Sequence, residues 1–184
     1  MNRRYYVDMD GVLVKYDRDA YRGPDPIWLR KNEHYFRNLE PDREFLELMD
    51  HLYQHSRYTG DEIYVLTTLP INGAIFNEHF HDKIAWCHEW LPYIDIDHIL
   101  ISVTSKRDAV EYIHNKEITT QDILIDDYNK NLNSWCDAGG TAIKYCNGLN
   151  DPMSFDGEKI YKHSPLDDKL KSIEMAMDPL YGID

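Results

Sequence analysis

Cysteine is scarce in this chain: three occur among 184 residues, Cys87, Cys136 and Cys146, and no two have Cys-x-x-Cys spacing. That excludes a disulfide framework and a zinc ribbon, and leaves thiols expected to be buried and inert in a reducing compartment. Long apolar runs are also missing. The opening Met1-Asn2-Arg3-Arg4 passes directly into a strand-like segment rather than into the apolar core of a secretory signal, so the expected setting is the cytoplasm, with no membrane partner. Positive charge is in deficit: 20 Lys and Arg stand against 33 Asp and Glu, a net charge of -13. Such a surface repels a phosphate backbone and disfavours extended nucleic-acid binding, although a small anionic ligand could enter a locally positive site. No His-Glu-x-x-His pattern occurs, so the pairs His51/His55 and His79/His81 read as helix-surface histidines rather than zinc ligands.

No internal repeat or low-complexity tract is present either. With 42% hydrophobic and 29% charged residues, the composition is that of one globular domain, large enough to bury a core and carry a small insertion. Short apolar runs rich in β-branched residues predict strands at Tyr5 to Asp8, Glu62 to Leu66, His98 to Val103, Asp122 to Ile125 and Thr141 to Tyr145. Helical patterns over Asn72 to Trp90, Lys106 to Asn115 and Lys130 to Ala138 alternate with them, the last closed by Gly139-Gly140, and Trp86 and Trp90 read as core. This alternation predicts an α/β fold, a three-layer α/β/α arrangement around a mostly parallel sheet. Residues 14–60 interrupt it. Within them Pro41-Asp42 opens a helix that turns Phe45, Leu46, Leu48, Met49 and Leu52 to the core. The expected organisation is a core of 1–13 and 61–184, with 14–60 a small helical cap beside the carboxyl ends of the strands. The tail after Asn147 reads as less organised, except for a helix from Asp167 to Met177.

The most informative stretch is Tyr6-Val7-Asp8-Met9-Asp10-Gly11, an apolar run ending in two carboxylates one residue apart. At a strand end both acids lie on one side of the backbone, and Gly11 allows a sharp turn. A calcium loop is excluded, because its sixth, fifth and twelfth positions would be Leu13, Val12 and Asp19. Converging acids require a cation, and hard oxygen donors suit magnesium. A solvated acidic turn is the plain alternative.

Other strand ends bear on that choice. Thr67-Thr68 follows Ile63 to Leu66, Lys106 follows Ile101 to Ser105, and Asp126-Asp127 follows Ile123 to Ile125. Taken singly, the threonines could cap local backbone, Lys106 could be a solvated lysine and the acid pair could cap a helix. Taken in order, over about residues 5–145, Asp8-x-Asp10-Gly11, Thr67, Lys106 and Asp126-Asp127 resemble the haloacid-dehalogenase (HAD) superfamily of phosphohydrolases. That resemblance implies a Rossmann-like core and a magnesium-dependent phosphomonoesterase. Asp8 would be the nucleophile that forms an aspartyl-phosphate, and Asp10 the proton donor and acceptor. Thr67, or its neighbour Thr68, would donate to a phosphoryl oxygen, and Lys106 would neutralise phosphate and nucleophile. Magnesium would be held by Asp8, the backbone of Asp10, Asp126 and Asp127.

The passage Tyr35-Phe36-Arg37-Asn38-Leu39-Glu40-Pro41 is similar to one in the small cap of 5'(3')-deoxyribonucleotidases. It implies a nucleoside monophosphate as substrate, with Tyr16, Tyr21, Trp28, Tyr35 and Phe36 as candidates to stack on the base, although packing is the ordinary role of such aromatics. A sugar phosphate or other metabolite, acted on by a phosphatase or phosphotransferase, is the alternative substrate class. A non-catalytic HAD-fold binding protein is the alternative of another kind. A homodimer is left open.

Overall fold

The computed structural model describes residues 2–15, 34–69 and 76–178, and the candidates Tyr16, Tyr21 and Trp28 lie outside them. Six strands form one sheet: β1 (Arg4–Val7), β2 (Glu62–Thr68), β3 (Ile99–Ser102), β4 (Asp122–Asp126), β5 (Thr141–Cys146) and β6 (Lys159–Tyr161). The order is β3-β2-β1-β4-β5-β6 and every pairing is parallel. Among the described residues five α-helices accompany it: α1 (Arg43–Thr59), α2 (Phe76–Trp90), α3 (Lys106–His114), α4 (Asn129–Asp137) and α5 (Leu166–Met177).

The period-two alternation of β1 divides the core. Tyr5 and Val7 face one way, into a cluster with Phe45, Leu48 and Met49 of α1, Trp86 and Cys87 of α2 and Ile173 of α5. Tyr6 faces the other way, towards Val110 of α3 and Leu132 and Trp135 of α4. Each face of the sheet is therefore covered by helices, which is why its strands are apolar on both sides. Trp135 also donates its indole N–H to the carbonyl of Asp122, 3.0 Å away, fastening α4 to the central strands.

Central β1 is paired on both sides in matched register, Val7 opposite Val65 of β2 and Ile125 of β4. Three strand ends thus reach the same edge. Chain direction across the sheet reverses between β1 and β4, and in open parallel sheets that reversal leaves a crevice at the carboxyl ends where ligands bind.

Two features bear on the expected organisation. Helix α1 is capped by Asp42, whose side chain accepts from the Phe45 N–H, and it packs in the main core cluster with β1 and β2. Its apolar stripe is buried in that cluster, against the sheet. The tail contributes a sixth strand, which pairs with β5; at three residues, with only Ile160 buried, it is too short to display a period. No described helix is long and apolar enough to cross a membrane.

Candidate active site

The chain leaves β1 through a tight turn. The N–H groups of Leu13 and Val14 both donate to the carbonyl of Met9, at 3.0 Å, and Gly11 donates to the carbonyl of Val14 at 3.1 Å. Gly11 takes φ +90°, a conformation open chiefly to glycine. The turn leaves Asp8 buried at the strand end, its Oδ1 accepting from the Met9 N–H at 2.8 Å.

Asp8 meets the acids that end β4. One carboxylate oxygen from each of Asp8, Asp126 and Asp127 lies within 4.8 Å of the others, and all three residues are buried. Lys106, the first residue of α3, lies between two of them, its Nζ 2.6 Å from Asp8 Oδ1 and 2.6 Å from Asp126 Oδ2. A cation is unfavourable at a helix N-terminus, and the two carboxylates outweigh that. Neighbouring donors fix the acids in place. Asp126 accepts from the Tyr128 N–H at 2.8 Å and from Asn131 Nδ2 at 2.9 Å. Asp127 Oδ2 accepts from Asn147 at 3.0 Å and Asn150 at 2.8 Å, while Asn147 also holds the Gly11 carbonyl. Lys144, buried on β5, donates to the Asp127 carbonyl at 2.9 Å.

One ammonium does not balance three buried carboxylates. Burial, reinforced by Asp126, Asp10 and Asp127, raises the Asp8 carboxyl well above its ordinary range despite Lys106 beside it. Burial, with the charge of Asp126, pushes Asp127 up to about 6. Burial opposes the Lys106 charge, yet Asp126 and Asp8 prevail and hold its ammonium at about 12. An excess of negative charge on hard oxygen donors fits a divalent cation such as magnesium, which would be held by Asp8, Asp126 and Asp127. The Asp10 carboxylate is not one of this cluster.

Asp10 has a partner that sequence reasoning missed. Lys83 of α2, fully buried, places Nζ 2.5 Å from Asp10 Oδ2 and 2.7 Å from Thr67 Oγ1, and 4.5 Å from the centre of the Phe36 ring. Thr67 is fully buried beside it, whereas Thr68, one residue on, is exposed. A signal for Lys83 was available: it shares an i, i+3, i+4 stripe with Trp86 and Cys87, so a lysine occupies the apolar face of its helix. Asn131, Asn147 and Asn150 offered no such signal, lying in polar surroundings.

Tyr35 and Phe36 are buried, Phe36 packing edge-on to Tyr35 and to His79 with its face under the Lys83 ammonium. Both rings are thus largely enclosed by neighbouring side chains. Their segment is tied to α2, His34 Nδ1 lying 2.9 Å from Asp82 Oδ1 and Trp86 donating to the Leu39 carbonyl at 2.9 Å. His79 is accordingly buried rather than on the helix surface, and Cys136 is exposed rather than buried.

The sequence matches no protein-family model and no curated protein. Its fold does have counterparts. A HAD-like hydrolase from Streptococcus pneumoniae superposes with a TM-score of 0.59 at 14% identity, over 92% of this chain and 98% of that one. A candidate HAD-like phosphatase from Mesorhizobium loti gives 0.58 at 11% identity, over 95% and 87%. A HAD-superfamily hydrolase from Ehrlichia chaffeensis gives 0.51 at 15%, over 95% and 98%. The chain has the α/β fold of HAD-like hydrolases.

Proposed function

We propose that this protein is a magnesium-dependent phosphomonoesterase that passes the phosphoryl group through Asp8. The observation that carries this reading is Lys106, shared at 2.6 Å between Asp8 and Asp126 inside a buried cluster that Asp127 completes. Attack by a carboxylate on a phosphate ester brings two anions together, so positive charge must be in place beforehand. Lys106 is one such charge. Magnesium, when bound by the three acids, neutralises the phosphoryl oxygens and the nucleophile.

In the first step an Asp8 oxygen forms a bond to phosphorus as the bond to the leaving oxygen breaks, and Asp10 gives that oxygen its proton. In the second, Asp10 takes a proton from water as the water oxygen bonds to phosphorus, and the Asp8 carboxylate is regenerated. Thr67 donates its hydroxyl proton to a phosphoryl oxygen.

For the substrate, we favour a nucleoside monophosphate, a deoxyribonucleotide among them. The Tyr35 to Pro41 passage supports this reading. So does a cavity of about 490 Å³ beside Asn147 and Asn150, lined also by the half-exposed Tyr161, on which a base could stack. A sugar phosphate is the competing substrate, since the phosphate site is indifferent to the leaving group. The net charge of -13 supports a small ligand rather than a nucleic acid, and the scarcity of cysteine supports a cytoplasmic setting.

Phosphate release from nucleoside monophosphates and sugar phosphates, with magnesium and with EDTA, tests both levels. Magnesium-dependent release that disappears in Asp8→Asn is the expected result. Wild-type rates in Asp8→Asn would overturn the mechanism, and equal rates on both substrate classes would overturn the nucleotide assignment.

A further inference from the structure

Lys83 is an uncommon occupant of its position. A fully buried ammonium carries a desolvation cost of several kcal/mol, and a methionine of similar length would fill the same space without it. Its three N–H donors are accounted for by the surroundings. Asp10 Oδ2 takes one at 2.5 Å, Thr67 Oγ1 takes another at 2.7 Å, and the Phe36 ring closes the remaining side 4.5 Å from Nζ. Among the described residues these partners leave no donor over for a substrate oxygen. The residue therefore acts on its two protein partners rather than on the phosphate.

The effect on those partners is specific. Asp10 Oδ1 is buried with no hydrogen-bond partner among the described residues, while Oδ2 is engaged by Lys83. Thr67 Oγ1 accepts from Lys83, so its own O–H proton is directed away from the lysine. Resting on the phosphomonoesterase reading, we propose that Lys83 is a positioning residue: it ties Asp10 to Thr67, commits Asp10 Oδ1 to proton transfer and directs the Thr67 proton towards a phosphoryl oxygen. Lys106 and Lys83 thus divide the work, the first serving the nucleophile and the second the proton shuttle.

The test is the dependence on the leaving group. An alkyl phosphate needs the Asp10 proton as its P–O bond breaks, whereas p-nitrophenyl phosphate departs as a stable phenolate and needs it far less. The ratio kcat/KM reports only the steps up to that departure. In Lys83→Met we expect kcat/KM for an alkyl monophosphate to fall about 100-fold or more, with a loss at least about tenfold smaller for p-nitrophenyl phosphate. In the double variant Lys83→Met/Asp10→Asn the loss on the alkyl substrate should fall well short of the product of the two single losses, and what it loses beyond Asp10→Asn alone is the share that acts through Thr67. Equal losses on both substrates, no loss, or losses that multiply in the double variant would each overturn the proposal. Magnesium-induced thermal stabilisation reports whether the variants fold. Lys83→Gln takes the place of the methionine variant if that does not, and is read by the same ratio. Wild-type protein that releases no phosphate from either substrate would instead refute the phosphatase reading itself.

Discussion

A side chain at Gly11 would collide with Asp127: a Cβ there would stand 2.5 Å from Asp127 Oδ2 and 2.8 Å from its Cγ. The glycine of the first acidic motif is therefore required by the last one. It lets the two segments close around the same small volume.

Gly11→Ala should consequently damage both fold and site. The new methyl strains a backbone at φ +90° and displaces a carboxylate of the acidic cluster. We expect a loss of about 1–3 kcal/mol in unfolding free energy, and weaker magnesium binding, measured by denaturant titration and by calorimetry.

Lys106→Met removes the charge that holds Asp8 and Asp126 together in a buried site. Two carboxylates left uncompensated should cost about 3–5 kcal/mol without metal, and less with magnesium present. Thermal melting with and without magnesium measures the difference. Activity should fall to near background.

Asn147→Ala leaves the acids in place but releases Asp127 Oδ2 and the Gly11 carbonyl from their common donor. Groups that orient a metal ligand typically matter about 10–100-fold in affinity. A magnesium titration should show a loss in that range, while the melting temperature of the metal-free protein changes little.

The acids also set a pH dependence. Asp127 lies at about 6 in the folded protein and Asp8 well above its ordinary value, both chiefly through burial. In the unfolded chain an aspartate titrates near ~3.9. The stability each neutral acid contributes is therefore complete below about pH 4 and declines as pH rises through the folded value, about 6 for Asp127. Metal-free protein should lose this contribution on going from pH 4 towards 7. The proposed magnesium site requires these acids deprotonated, so the stabilising effect of the ion should grow over the same interval. Melting curves at stepped pH, with magnesium and with EDTA, check both slopes.

Arg4 and Asp122 provide a control. They form a buried ion pair between β1 and β4, at the edge of the sheet opposite the acids. Arg4→Met should lower stability by about 3–5 kcal/mol and leave kcat unchanged, which separates loss of fold from loss of site in a common assay.

The parts of this molecule legible from sequence are those where chemistry is local. Asp8, Thr67 and Asp126 stand at the ends of apolar runs, and strands of a parallel sheet deliver their ends to one edge. Helix α1 is legible for the same reason, through Pro41, Asp42 and an apolar stripe that faces the core. Strand β6 was too short to show a pattern. That Tyr35 and Phe36 are buried follows from neighbours distant in the chain, such as Lys83 and His79, and not from their own passage.

The sequence by itself determined which groups stand at the strand ends, because covalent spacing and the two-residue period of a strand require no knowledge of distant residues. It thereby determined the α/β class and the acid pair that opens the site. Tertiary structure alone decided which group each acid meets. Lys83 reaches Asp10 across 73 positions of chain, and Asn147 reaches Gly11 across 136. Such pairs depend on how α2 and the end of β5 pack against the sheet, and burial, which moves Asp8 and Asp127 away from ordinary carboxylates, exists only once that packing is complete.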